Sequence, residues 1–133
     1  MRATYLLATA SLLLAAAPAS LLAQEVAGNI TAYPASFFAR VQPTSAYDMV
    51  QLVPGFRMIE GDTELRGYSG AAGNILVGGQ RPSGKAETLE DLLKRIPAAR
   101  VERIELLRAG APGYDFQRYA LLVNVVLASG GRV

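Results

Sequence analysis

The sequence predicts an α+β domain: a small mixed β-sheet of about four to six short strands with two short helices. Three observations predict it. Apolar runs of strand length recur between turn signals, as in Asn74-Ile75-Leu76-Val77 and Leu121 to Leu127. Two runs at helical spacing each open on a capping pattern and stop at a proline: Ser45 with Asp48 ahead of Pro54, and Thr88 with Asp91 ahead of Pro97. Between these runs lie glycine-containing breaks, at Tyr68 to Gly73, Gly78 to Ala86 and Gly110 to Gly113.

Taken in chain order, Gln24 to Asn29 reads as a short polar lead. Ile30 to Tyr33 predicts a strand that Pro34 ends, and Phe37 and Phe38 are core or interface aromatics. The first helix is predicted over Ala46 to Val53, with Tyr47, Val50 and either Leu52 or Val53 on its buried side. Pro54 stops it, because its ring clashes with the preceding turn and it has no N–H to donate. Phe56 to Ile59 is strand-like, Glu60-Gly61-Asp62 is a turn, and Glu64-Leu65-Arg66 is a returning strand. Asn74 to Val77 predicts a buried strand. In the second helix, Leu89 to Ile96, residues Leu89, Leu92, Leu93 and Ile96 recur at i, i+3, i+4 and i+7 and form one apolar stripe. Arg100 to Arg108 predicts a half-buried strand with Ile104 and Leu106 on one face, Arg103 and Glu105 on the other, and Val101 apart from the alternation. Leu121 to Leu127 is a nearly continuous apolar strand interrupted by Asn124. The expected order is β-α-β-β-β-α-β-β, without internal repeats.

The chain has 133 residues, which suits one domain. Met1 to Ala23 places Arg2 ahead of an uncharged apolar segment that ends in small residues, the pattern of a secretory signal peptide. A single transmembrane anchor is the rival reading; Pro18 and the Ala-rich end favour a cleavage zone. Cleavage is placed after Ala23, which leaves Leu21 at a position usually small; Ala17-Pro18-Ala19 fits A-x-A, with Pro18 in its middle. The expected organisation is a signal peptide over 1–23, a lead over 24–29 and one domain over 30–133.

Composition removes several function classes. The chain has 13 Lys plus Arg against 11 Asp plus Glu, and loss of Arg2 leaves the mature domain near neutral, which argues against nucleic acid as a partner. It has no Cys and no His. Disulfides, Cys and His metal sites, Ser-His triads and Cys nucleophiles are therefore excluded. No enzyme activity and no cofactor are expected.

Four motifs invite a chemical reading. Gly79 to Lys85 matches G-x-x-x-x-G-K, the core of a phosphate-binding loop. The match lacks what the chemistry needs: residue 86 is Ala where Ser or Thr should hold Mg²⁺, and Pro82 removes a backbone donor. Nucleoside triphosphates are also scarce outside the cytoplasm. Gly70-Ala71-Ala72-Gly73 lacks dinucleotide-binding spacing and opens no helix. Glu102 and Glu105 stand three apart on a strand, so they are expected on opposite faces as a solvated or ion-paired strand edge, neutralised by Arg100 and Arg103. Arg66, Arg81, Arg103 and Arg108 sit beside glycines or on strands, where a planar guanidinium suits carboxylates on a partner surface.

The ordered set YPASFF, SAYDMVQLVPGF, LRGYSGAAGNILVGGQRPSGK, LEDLLKRIP, VERIELLRAGAPG and LLVNVVL resembles the plug domain of TonB-dependent outer-membrane receptors, in the variety common in alphaproteobacteria. The resemblance runs from about Ile30 to Leu127. It implies a mixed sheet with short helices lodged in an outer-membrane β-barrel of about 22 strands. It implies a domain on the periplasmic side of the outer membrane that blocks the pore, helps bind a siderophore or other nutrient, and is remodelled when TonB pulls. Carried onto this chain, Arg66, Arg103, Glu105 and Arg108 are the candidates for facing the barrel wall, and Tyr68, Ser69, Gln80 and Arg81 for facing ligand. Two local departures stand out: Gly78 occupies a position usually acidic or amide, and no TonB box is evident near the mature N-terminus. Such a barrel needs at least about 200 further residues, so the expectation is a receptor fragment or a free-standing plug whose barrel comes from a neighbouring gene. The alternative is a periplasmic binding or adaptor module that has kept the plug fold.

Overall fold

A computed structural model describes residues 25–61, 73–82 and 87–129. The proposed signal segment, the returning strand at 64–66, the loop at 68–72 and the end of the second glycine loop at 83–86 lie outside the described residues.

Among the described residues, five strands form one mixed sheet: β1 (Glu25–Ala27), β2 (Ile30–Pro34), β3 (Ile75–Val77), β4 (Val101–Arg108) and β5 (Leu121–Leu127). Their spatial order is β1-β2-β4-β5-β3. The β3–β5 pair is parallel and the others antiparallel. Two α-helices, α1 (Ala46–Gln51) and α2 (Leu89–Arg95), and two 3-10 helices, Ala35–Val41 and Ala98–Arg100, complete the α+β domain.

The polar lead is a strand, which corrects the sequence expectation. Glu25–Ala27 pairs with β2 across Gly28-Asn29, where Gly28 takes φ +60°. A two-residue connection needs such a conformation, and glycine adopts it without a Cβ penalty. Three residues are too few to show an alternation, so nothing in the run itself marked it.

Alternation along the paired strands separates two faces. On one, Tyr33, Ile75, Ile104, Leu106, Val123 and Val125 are buried together with Phe38, Met49, Val50, Val53, Leu89 and Leu93 from the helices and their connections. On the other, Leu76, Leu107 and Leu122 pack with Ala111, under Tyr114, Phe116 and Tyr119. The first face is thus roofed by helices and the second by the loop between β4 and β5.

Both helices begin as their capping residues dictate. Ser45 Oγ accepts from Asp48 N–H at 3.4 Å, and the Asp48 carboxylate accepts from Ser45 N–H at 3.2 Å, from Thr44 N–H at 2.9 Å and from Thr44 Oγ1 at 2.8 Å. At α2 the box is half made: Thr88 Oγ1 accepts from Asp91 N–H at 3.1 Å, but its hydroxyl, not its backbone N–H, donates to the Asp91 carboxylate at 2.8 Å. Helix α1 buries Ala46, Met49 and Val50 and ends at Gln51; Val53 is buried just beyond it, while Tyr47 is half-buried and Leu52 is exposed. Leu89 and Leu93 of α2 are buried, with Leu92 and Ile96 at the margin. The start of α1 is bolted to the end of α2 and the residues after it by Ala46 N–H to Ile96 O at 2.8 Å and Ala98 N–H to Thr44 O at 3.0 Å.

One further expectation is met and one corrected. The Phe37-Phe38 stretch lies in a 3-10 helix that begins after Pro34, with Phe38 buried and the Phe37 ring between Tyr33 and Phe38 at centroid distances of 4.9 and 5.1 Å. Phe56 to Ile59 forms no strand. Instead the Asn74 side chain holds it, accepting from Ile59 N–H at 2.7 Å and donating to Arg57 O at 2.9 Å. The asparagine amide presents the same donor and acceptor as a peptide, so it can stand in for one rung of a ladder.

Candidate functional site

The chemistry of the domain concentrates on the middle of the sheet. Strand β4 lies at its centre, with β2 on one side and β5 on the other. Glu105 of β4 is directly opposite Ala32 of β2 and Asn124 of β5, and Asn124 is opposite Leu76 of β3. Glu105 is 9% exposed and Asn124 4%, so each requires a partner. Asn124 Nδ2 donates to Glu105 Oε2 at 3.0 Å, and Asn124 Oδ1 accepts from the backbone N–H of Gly79 at 2.8 Å. Arg103 Nε donates to Glu105 Oε1 at 2.8 Å, and its Nη1 donates to Glu102 at 2.6 Å. The Tyr114 hydroxyl donates to Glu105 Oε2 at a long 3.5 Å.

Arg103 pairs with both Glu102 and Glu105, as the ion-paired reading expected, but the placement on an edge is corrected: β4 is the central strand and Glu105 is buried. A register shift between Val101 and Arg103 breaks the alternation of β4. A bulge of this kind re-aims side chains. It puts Val101 in the same core as Ile104, three residues on, and lets one guanidinium reach both carboxylates. The same shift explains why Val101 stood apart in the sequence pattern.

Hydrogen bonding to Glu105 raises the pKa of Arg103 against the smaller opposing effect of burial, and Glu102 adds to the rise. Burial pushes the Tyr114 phenol up as well, assisted by the negative field of Glu105. Both groups therefore keep their protons across the physiological range. The arrangement holds charge in place and offers no poised base beside a nucleophile. Among the described residues, no group of three or more metal-ligating side chains comes together.

The other candidates separate. Arg108 is exposed and donates from Nη1 to Thr31 Oγ1 at 2.9 Å; it extends from the helix-covered face of β4, opposite to Arg103. Gln80 is exposed and closes a tight turn with Val77, through Val77 N–H to Gln80 O at 2.9 Å and Gln80 N–H to Val77 O at 3.2 Å. Arg81 donates to the carbonyls of Gly73 at 3.0 Å and Asp115 at 2.7 Å, tying together three loop segments. Arg66, Tyr68 and Ser69 lie outside the described residues. In the described part of the phosphate-loop match, the Gly79 amide is committed to Asn124 and not free for an anion.

Sequence reasoning assigned no role to Asn124 or Tyr114. The available signal was an amide inside an otherwise apolar run, since such a residue must find a buried partner.

A mixed sheet with helices over one face and a loop over the other makes a small α+β domain, consistent with a plug-like fold. The family model "TonB-dependent Receptor Plug Domain" matches residues 23–121, and the chain belongs to that family. No curated protein and no solved structure matched the chain. Plug domains are parts of transport receptors, in which they associate with a β-barrel and with TonB.

Proposed function

We propose that this chain is the plug of an outer-membrane receptor that gates energy-dependent uptake of a siderophore or other nutrient. In this reading residues 1–23 are the export signal, 24–29 the lead and 30–133 the plug, held within the outer membrane from its periplasmic side. The observation that carries the proposal is the family match over residues 23–121. The charge layout of β4 supports it: Arg103 and Arg108 leave the central strand on opposite faces, and Arg103 is only partly buried. A guanidinium at a half-covered position suits carboxylates of an enclosing wall. Arg66, Arg103 and Arg108 are proposed to face that wall, with Glu105, buried behind it, holding Arg103, and Tyr68, Ser69, Gln80 and Arg81 to face the incoming ligand. The barrel is either part of the same polypeptide or a separate chain.

The test is photo-crosslinking in cells that export the full chain, with a benzophenone amino acid in place of Arg108. An adduct with a heat-modifiable barrel protein, in the outer-membrane fraction, is the expected result. A separate barrel gives an intermolecular adduct, and a barrel in the same polypeptide gives an internal crosslink located by peptide mass. Adducts formed only with soluble periplasmic proteins would replace the receptor reading with that of an adaptor.

A further inference from the structure

The polar groups on the second face of the sheet form a continuous chain. It begins at the Gly79 amide, in the exposed turn between Val77 and Gln80, and passes through Asn124 to the Glu105 carboxylate. From there it reaches Arg103, whose guanidinium is 38% exposed, and ends at Glu102 at the surface. Its members come from three segments: Gly79 from the turn, Asn124 from β5, and Glu105, Arg103 and Glu102 from β4. Asn124 and Glu105 are buried, so neither can exchange its partner for water. The hydrogen bonds of the Arg103 side chain go to Glu102 and Glu105, so the side-chain route from Arg103 to the Gly79 amide crosses the two buried groups.

We infer that Asn124 and Glu105 form a conformational relay: the pairing state of Arg103 at the end of the chain sets how firmly the Gly79 amide of the Gly78–Gln80 turn is held. While Arg103 holds Oε1, the Glu105 carboxylate is oriented with Oε2 toward Asn124 Nδ2. That bond fixes the asparagine amide plane, and the fixed plane presents Oδ1 to the Gly79 N–H. A carboxylate from outside that draws Arg103 away frees Glu105 to turn, the amide of Asn124 loses its anchor, and the Gly79 N–H loses its fixed acceptor, while the Val77–Gln80 bonds and the bond from Gly78 N–H to Val125 O at 2.9 Å keep the turn in place. Arg103 and Glu105 are positioning residues in this device. The inference concerns the domain itself and stands whether or not the receptor reading holds, because the external acid is defined by its chemistry alone.

The test is amide hydrogen exchange by NMR on the full chain, with the Gly79 amide as reporter and the β4 and β5 ladder amides as an internal gauge of global stability. Arg103→Ala is expected to speed Gly79 exchange about tenfold while the ladder amides change far less. Arg103→Lys, which keeps the charge, should restore part of the protection. In an Asn124→Leu background, adding Arg103→Ala should leave the exchange of Gly79 where Asn124→Leu put it. If the asparagine variant does not fold, the two Arg103 variants decide alone, since that side chain is partly solvent-exposed. An unchanged Gly79 rate in Arg103→Ala, or one that moves by the same factor as the ladder, overturns the relay.

Discussion

Gly73 stands where no side chain fits. A Cβ built on it would lie 1.5 Å from the carbonyl oxygen of Ile59 and 2.6 Å from its carbonyl carbon. Both obstacles are backbone, and that backbone is itself pinned by Asn74, whose N–H donates to the same Ile59 oxygen at 3.2 Å. The clash cannot be relieved by turning a rotamer; the whole 57–59 segment would have to move. Gly73→Ala is therefore expected to cost about 3 kcal/mol, at the upper end of overpacking substitutions, read as a lowered urea midpoint. Asn74→Ala should cost a comparable amount by a different route, leaving Ile59 N–H and Arg57 O without their partner. Because the two residues act on one segment, the double variant should lose less than the sum of the single losses.

At the scale of elements, the caps of the two short helices differ in a measurable way. Six residues make too short a helix to stand on propensity alone, so α1 depends on its cap and its packing. Ser45→Ala should cost about 1 kcal/mol of unfolding free energy. The Asp48 carboxylate anchors the same turn. Hydrogen bonds from the Thr44 hydroxyl, then from the Thr44 backbone, and less from Ser45, hold its pKa below the ordinary value of 3.8. A lowered folded-state pKa means that this stabilisation is complete above the ordinary aspartate value and is lost as pH falls through and below it. Denaturation midpoints followed into that acid range should fall for the parent and less steeply for Asp48→Asn; equal slopes would remove Asp48 as a contributor. These caps were legible in the sequence because a cap is a local pattern, four residues read in one window. The strands Ile30–Pro34, Val101–Arg108 and Leu121–Leu127 were legible for a similar reason, through runs long enough to show alternation or sustained apolarity. Strand β1 was not, because its pairing with β2 comes from the Gly28-Asn29 turn and not from its own three residues. Nor was the burial of Glu105 against Asn124, since which strand lies at the centre of the sheet is a property of pairing, whereas the neutralisation of Glu102 and Glu105 by Arg103 could be read from adjacency and the bulge showed as Val101 standing apart from the alternation. The arginine candidates could be named but not placed, because spacing does not reveal which carbonyl or carboxylate a long side chain will find.

The whole molecule is unevenly covered. One face of the sheet carries both helices and the larger core; the other carries the β4–β5 loop, whose Tyr114, Phe116 and Tyr119 are only partly buried. Val41, Leu52, Ile59 and Leu127 remain exposed among the described residues, at 63%, 36%, 48% and 40%. No cysteine is available to constrain the unfolded chain. A domain of this size buries about two thirds of the surface its unfolded chain exposes, which leaves a narrow margin. These features suit a domain completed by an enclosing wall, and they set the expected behaviour of the chain without one. Alone in solution it should melt at or below about 45 °C, the lower end of the usual range for single domains. Reconstituted with its barrel it should melt higher, because a partner that binds only the folded state adds its binding free energy to stability. Calorimetry of the free chain and of the assembled receptor measures both numbers. A sharp two-state transition of the free chain well above that temperature, unmoved by a barrel, would mean that the sheet and its two coverings are sufficient by themselves and that the exposed apolar positions await no wall.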